Sequence, residues 1–143
     1  MKIILNVTLT LIALILFQSC SRKNDDLQNS TQAQTQNVTS GTWKVTLFTD
    51  GGNNETSDFS GYSFQFDANG SVIATRNGAA KGGTWAVNNS SKKFLIELGP
   101  KTADNKPLGE LTEDWKIISI STNEIKLTDD KASSSEFLTF TKN

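Results

Sequence analysis

The sequence contains one cysteine, Cys20, and no histidine. Because the chain after position 20 lacks both residue types, disulfide bonds, thiol catalysis, Ser-His-Asp catalysis and zinc sites with histidine ligands are excluded there. The remaining carboxylates, hydroxyls and lysines form no recognisable pair of nucleophile and base, and no metal-ligand set. We therefore expect that the protein is not an enzyme and that it holds no metal or other cofactor.

The main part of the chain also has no strong excess of positive or negative charge. Residues 41–143 contain eleven lysines and arginines against thirteen aspartates and glutamates, a formal charge of −2. No basic stripe is present, so we expect no nucleic-acid partner. About a hundred residues is the size of one domain, which we expect to be monomeric.

The first nineteen residues have the pattern of a signal peptide. Lys2 precedes an apolar run over 3–17, which Asn6 interrupts and which is shorter than a membrane-spanning helix of about 20 residues. The letters LFQSC resemble a bacterial lipobox, although Phe17 stands where leucine is usual. The resemblance implies that Cys20 is lipidated and anchors the protein to a membrane. The alternative is an ordinary secreted protein that is cut near Ser19.

Residues 20–40 are polar and contain no aromatic side chain. Such a segment buries too little apolar surface to offset the entropy of ordering, so we expect a flexible tether between the lipid and the domain. Its start, SRKNDD, resembles the export signals that follow the cysteine in lipoproteins of Bacteroidetes-type bacteria. That resemblance implies the outer face of the outer membrane. A solvated charge cluster and a periplasm-facing lipoprotein remain alternatives.

Hydrophobic residues in 41–143 alternate with a period of two, as in YSFQF and EIKLT. Aromatic and β-branched residues fill these short runs, while Gly, Asn, Asp and Ser separate them. The turn NG at 77–78 is the strongest hairpin signal. The pattern predicts eight strands, at 42–49, 62–67, 71–76, 80–87, 93–98, 114–120, 124–128 and 136–141.

Neighbouring strands are joined by turns or loops without a long helix, which favours an up-and-down meander. Eight strands of this kind close into a small all-β barrel without exposed edges. A two-sheet β-sandwich is the alternative fold. The domain boundaries are thus 1–19 for the signal peptide, 20–40 for the tether and 41–143 for the barrel.

Two loops are longer than a hairpin needs, at 50–61 and 99–114, and long loops are often functional. The meander predicts that five residues gather at the end of the barrel that carries both loops: Phe59, Trp85, Leu108, Leu111 and Trp115. Aromatic and aliphatic residues around a few polar groups line many ligand pockets. They are our candidate site for a small apolar or sugar-bearing ligand. The alternative is that they only fill the core.

The letters GTW occur at 41–43 and again at 83–85. We interpret both as the same local arrangement rather than as a duplication: the glycine permits close approach of a neighbouring strand, and the tryptophan closes one end of the barrel. A GxW on the first strand of an eight-stranded meander resembles the lipocalins, and all of 41–143 resembles the lipocalin-like lipoprotein domains of Bacteroidetes.

The resemblance implies that Gly41 and Trp43 close the base of the barrel. Lipocalins also carry a late arginine that packs on this tryptophan, but the only arginine in 41–143 is Arg76. The sequence therefore predicts a membrane-anchored lipocalin-like lipoprotein that binds a small ligand at the barrel mouth. The alternative is a ligand-free accessory subunit, whose partner is an outer-membrane or surface protein.

Overall fold

Among the described residues, one α-helix precedes nine strands, eight of which follow one another in sheet order. The structure, a computed structural model, describes residues 22–131 and 133–143. The helix α1 is Arg22–Thr39. The strands are β1 Thr42–Asp50, β2 Asn53–Asn54, β3 Ser63–Phe66, β4 Ser71–Arg76, β5 Ala79–Asn88, β6 Lys93–Glu97, β7 Glu113–Ile120, β8 Glu124–Thr128 and β9 Phe137–Lys142.

Eight of these strands form a closed antiparallel barrel, and β2 is a short extension paired with the end of β1. The barrel closes because β1 pairs with β9 from Trp43↔Lys142 to Thr49↔Phe137. The predicted meander barrel is confirmed, and closure excludes the two-sheet sandwich. All eight predicted strands lie within one residue of their observed bounds, because alternation and turn residues mark both ends of each strand.

Aromatic rings fill the interior of the barrel. Phe66 makes edge contacts with Trp85, Phe94 and Phe140, with ring centres 5.4, 5.7 and 5.6 Å apart. Trp43 and Trp115 are also fully buried. The interior of an eight-stranded barrel is narrow enough for side chains to fill it, and here aromatic and aliphatic side chains do so.

The two ends of the barrel differ. We call the end where α1 joins β1 the helix end; it also carries the turns 67–70 and 89–92, which connect β3 to β4 and β5 to β6. The opposite end, the loop end, carries the loops 51–62 and 98–112. Both long loops lie together there, as the meander predicts.

Residues 22–39 form a helix where the sequence predicts a flexible tether. The helix is docked through its last turn, since Val38 is fully buried and its carbonyl accepts a hydrogen bond of 2.8 Å from Trp43 Nε1. The polar composition did not indicate this arrangement, because Val38 is the only buried apolar side chain among those described in the segment. The predicted signal peptide and Cys20 lie outside the described residues. Within the described part, no helix has the length and apolar character needed to cross a bilayer.

The two GTW glycines serve different purposes. Gly41 has φ +114°, a conformation that favours glycine, and lets the chain turn from α1 into β1. Gly83 lies where β6 crosses closely, and a Cβ there would lie 2.0 Å from the carbonyl oxygen of Glu97. Close approach is thus confirmed for Gly83, whereas Gly41 is needed for its backbone angle.

Candidate functional site

Four of the five predicted ligand-binding residues meet at the loop end. Phe48 contacts Phe59 and Trp115, with ring centres 5.1 and 6.4 Å apart. Trp115 Nε1 donates a hydrogen bond of 3.0 Å to the carbonyl oxygen of Leu111. Leu108 lies in the same 3-10 turn as Leu111. All four side chains are buried, so they seal this end rather than line an open mouth.

Trp85 lies at the helix end instead, and the prediction that it faces the long loops is wrong. Its indole Nε1 donates to the carbonyl oxygen of Asp67 at 2.9 Å, and its backbone N–H donates to Gly70. Both acceptors belong to the turn between β3 and β4. β5 runs from Ala79 to Asn88, so Trp85 lies near the end of its strand rather than at its start, as it already does in the predicted strand 80–87.

The longer loop at the loop end is tied down by its own side chains. Asn105 Nδ2 donates to the carbonyl oxygens of Leu98 and Pro100, at 3.1 and 3.0 Å. Thr112 Oγ1 donates to Gly99 O at 2.7 Å and accepts from Leu98 N at 2.9 Å. These bonds hold the 3-10 turn over the barrel as a fixed cap.

Ionised groups surround this cap. Lys101 pairs with Glu113 at 2.7 Å. Burial lowers the pKa of Lys101, but the hydrogen bond to Glu113 and the surrounding carboxylates outweigh it and raise the pKa. Burial raises the pKa of Glu136, and the nearby carboxylates of Asp50 and Asp129 raise it further. Among the described residues, no group of three or more acidic, histidine or cysteine side chains could hold a metal ion.

A groove with a volume of about 790 Å³ lies outside the barrel, between α1 and the β5–β6 hairpin. The barrel wall of this groove consists of Ala68, Ala86, Val87, Asn88, Asn89, Ser90 and Leu95. The helix wall consists of Thr31, Gln32, Thr35, Gln36 and Thr39. We call this feature the α1 groove.

The spacing of residues in the sequence explains the helix wall of the α1 groove. Thr31, Thr35 and Thr39 are spaced by four residues, and so are Gln32 and Gln36, which places them along one face of α1. Asn89 Nδ2 donates to Ser30 Oγ at 3.1 Å and joins the hairpin turn to the helix. Sequence reasoning missed the groove because it treated this segment as unstructured, although the four-residue spacing in TQAQTQNVT is a helical signal.

A smaller cleft lies against α1 and β7 and is lined in part by Gln34 and Ile118. Ile118 is 54% exposed. The pairing of β7 with β6 ends at Lys116↔Lys93, so residues 118–120 have no β6 partner. This cleft therefore borders an open strand edge.

The helix end is closed by Trp43. The indole ring lies beneath the ammonium group of Lys142, whose Nζ is 5.1 Å from the ring centre. Lys142 Nζ also donates to Ser40 Oγ at 2.8 Å. A late basic residue thus packs over the first-strand tryptophan, and it is a lysine rather than an arginine.

The barrel is similar to a solved structure of a DUF4847 family protein from Bacteroides vulgatus ATCC 8482, determined at 1.00 Å resolution. The two share 18% sequence identity and superpose with a TM-score of 0.55, over 74% of this chain and 94% of that chain. At this identity the likeness shows a common fold. A scan against protein-family models found no match, and a search of the curated proteins found none either.

Proposed function

We propose that the protein is a lipid-anchored, lipocalin-like barrel with a filled interior, which works through its outer surface as an accessory or binding subunit. The observation that supports this function most directly is the burial of the large side chains at both ends. Trp43 and Trp85 close the helix end, and Phe59, Leu111 and Trp115 close the loop end. A container for a ligand needs an open cavity, and these positions are occupied by core contacts.

The position of the basic residue on β9 supports the lipocalin-like part of this proposal. Lipocalins carry a late arginine over the first-strand tryptophan, and in this protein a lysine, Lys142, occupies the place above Trp43. Common ancestry with the lipocalins is itself part of the proposal, and it does not imply a ligand for this protein.

The membrane anchor is proposed from Cys20, the only cysteine in the chain. Three acyl chains would hold the protein on a bilayer, since each buried methylene contributes about 0.8 kcal/mol. We place the protein at the outer membrane, facing outward if SRKNDD acts as an export signal and inward if it does not. Neither an enzymatic activity nor a cofactor is part of the proposal.

Membrane fractionation tests the anchor. We expect the wild-type protein in the outer-membrane fraction of its bacterial host, and the Cys20→Ser variant in the soluble fraction. Incorporation of labelled palmitate into the wild type alone would identify the lipid. Equal fractionation of the two proteins without labelling would overturn the proposed anchor.

Variants at the barrel ends test the filled interior. Trp85→Ala and Trp115→Ala should each lower the free energy of unfolding by about 3–5 kcal/mol, whether or not small molecules are removed by dialysis. A variant that stays as stable as the wild type but loses a co-purifying apolar molecule would contradict the filled interior. It would show that these side chains bind a ligand at the barrel mouth.

A further inference from the structure

Among the residues that the structure describes, those that line the α1 groove include no charged side chain. Its lining residues are all Thr, Gln, Asn, Ser, Ala, Val or Leu, although 20% of the chain is charged. We propose that this groove binds an uncharged, hydroxyl-rich ligand, a neutral oligosaccharide. The inference rests on the proposed function, because it assigns a ligand class to the outer surface of the filled barrel.

The helix wall supplies hydrogen-bonding groups suited to sugar hydroxyls. Gln32 and Gln36 are exposed, and in the part of the chain that the structure describes, their side-chain amides make no hydrogen bond. An amide both donates and accepts hydrogen bonds, as a hydroxyl group does. Because the two amides lie one helical turn apart, about 5.4 Å along the axis, they can contact neighbouring hydroxyls of one extended ligand.

The barrel wall supplies an apolar surface. Ala86 on β5 is paired with Leu95 on β6, and Leu95 is 37% exposed on the outside of the barrel. Val87, the next residue on β5, borders the groove but packs against the core. A pyranose ring has C–H groups on its faces and hydroxyls at its edge, so it matches an apolar wall that faces a polar one.

An acyl chain fits this groove less well. It would remove the Gln32 and Gln36 amides from water without offering them a hydrogen-bond partner, which is unfavourable. Charged ligands gain no ion pair either, since none of the described residues that line the groove carries an ammonium, guanidinium or carboxylate group.

An extended peptide also fits less well. Peptides of this kind add a strand to an open sheet edge, but β5 and β6 are paired with each other from Thr84↔Glu97 to Asn88↔Lys93. The open edge lies at 118–120 of β7, beside the other cleft. Peptide binding would therefore be detected there and not in the α1 groove.

Nuclear magnetic resonance titration tests the proposal on the Cys20→Ser chain, which keeps α1 and the barrel. The probes are uncharged hexasaccharides of glucose, mannose and galactose, together with sulfated and uronate-containing hexasaccharides. We expect at least one uncharged probe to shift the side-chain amide resonances of Gln32 and Gln36 and the backbone amides of 86–90. The charged probes should not shift these resonances.

Matched variants locate the binding site. Leu95→Glu places a charge in the groove and should weaken binding by about tenfold or more. Ile73→Glu changes an aliphatic side chain of similar exposure, 38%, on β4 outside the groove, and should change the affinity by less than about twofold. Gln32→Ala combined with Gln36→Ala should also weaken binding, and these exposed helical positions tolerate alanine.

Three results would overturn the proposal. They are the absence of groove shifts with every uncharged probe, equal weakening by Leu95→Glu and Ile73→Glu, or shifts confined to 118–120. None of them would affect the anchor or the filled interior, which are measured by fractionation and by the stability of the Trp85 and Trp115 variants.

Discussion

Lys142 holds its ammonium group above the indole ring of Trp43, 5.1 Å from the ring centre, at the point where the first and last strands of the barrel meet. The same ammonium group reaches Ser40 in the link from α1 to β1. Lys142 therefore connects the helix, the first strand and the last strand.

Replacing Lys142 should weaken the barrel closure. We expect Lys142→Ala to lower the free energy of unfolding by about 0.5–1 kcal/mol, because a cation–π contact at a partly exposed site contributes about that much. Lys142→Arg should retain most of the stability. Denaturant unfolding provides the measurement, with Lys44→Ala, an exposed neighbour on β1, as the control. Equal effects of Lys142→Ala and Lys44→Ala would show that the contact contributes nothing.

The burial of Val38 distinguishes a docked helix α1 from a flexible tether. Val38→Ala should lower the free energy of unfolding by about 2 kcal/mol, because two buried methyl groups are removed. The indole proton of Trp43, which bonds to the Val38 carbonyl, should also exchange faster with solvent. Ala33→Ser, at an exposed position of the same helix, is the control. An unchanged stability and exchange rate in Val38→Ala would favour the flexible tether.

Two adjacent glycines in β5 should respond differently to alanine. A Cβ at Gly83 would lie 2.0 Å from the carbonyl oxygen of Glu97, whereas a Cβ at Gly82 meets no atom within 4 Å. Gly83→Ala should therefore cost about 3 kcal/mol or more of unfolding free energy. Gly82→Ala should change it by less than about 0.5 kcal/mol. Thermal and denaturant unfolding of both variants would reveal the contrast, and similar values would contradict the close approach of β6.

Glu136 should destabilise the folded protein at neutral pH. Burial and the carboxylates of Asp50 and Asp129 raise its pKa, against the opposing effect of Lys101. The folded state therefore holds this proton more tightly than the unfolded state, and stability falls as the pH rises from the unfolded pKa through the folded one. The Glu136→Gln variant should not show this loss of stability, because its side chain does not ionise.

The expected gain of Glu136→Gln at pH 7 is about 0.5 kcal/mol or less, because solvent screens the half-buried group. It should disappear as the pH falls to about 3, below the ordinary pKa of glutamate, where the carboxyl is protonated in both states. In 1 M salt the part due to neighbouring carboxylates should shrink. Denaturant unfolding at both pH values tests this, and a destabilised variant at pH 7 would contradict the assignment.

The barrel could be predicted from sequence because its signals are local. Alternation with period two marks inward and outward positions, as for Phe64 and Phe66 in β3 with Gln65 between them. The Asn77–Gly78 turn fixes the register of β4 with β5. The extension β2 was missed because two residues are too few to show a period.

The helix and the groove could not be predicted by composition alone. Docking of α1 depends on tertiary contacts: the buried side chain of Val38, the hydrogen bond from Trp43 to its carbonyl and the hydrogen bond from Asn89 to Ser30. The position of Trp85, in contrast, follows from the predicted strand 80–87 itself, because a residue near the end of that strand lies at the helix end.

The central claim is that the barrel is filled by its own side chains and carries lipid only on Cys20. The most direct test is mass spectrometry of the protein, isolated from its bacterial host, under native and under denaturing conditions. We expect the same mass in both, equal to the chain from Cys20 onward with its covalent acyl groups. An apolar molecule that is present in the native mass and lost on denaturation would contradict the claim.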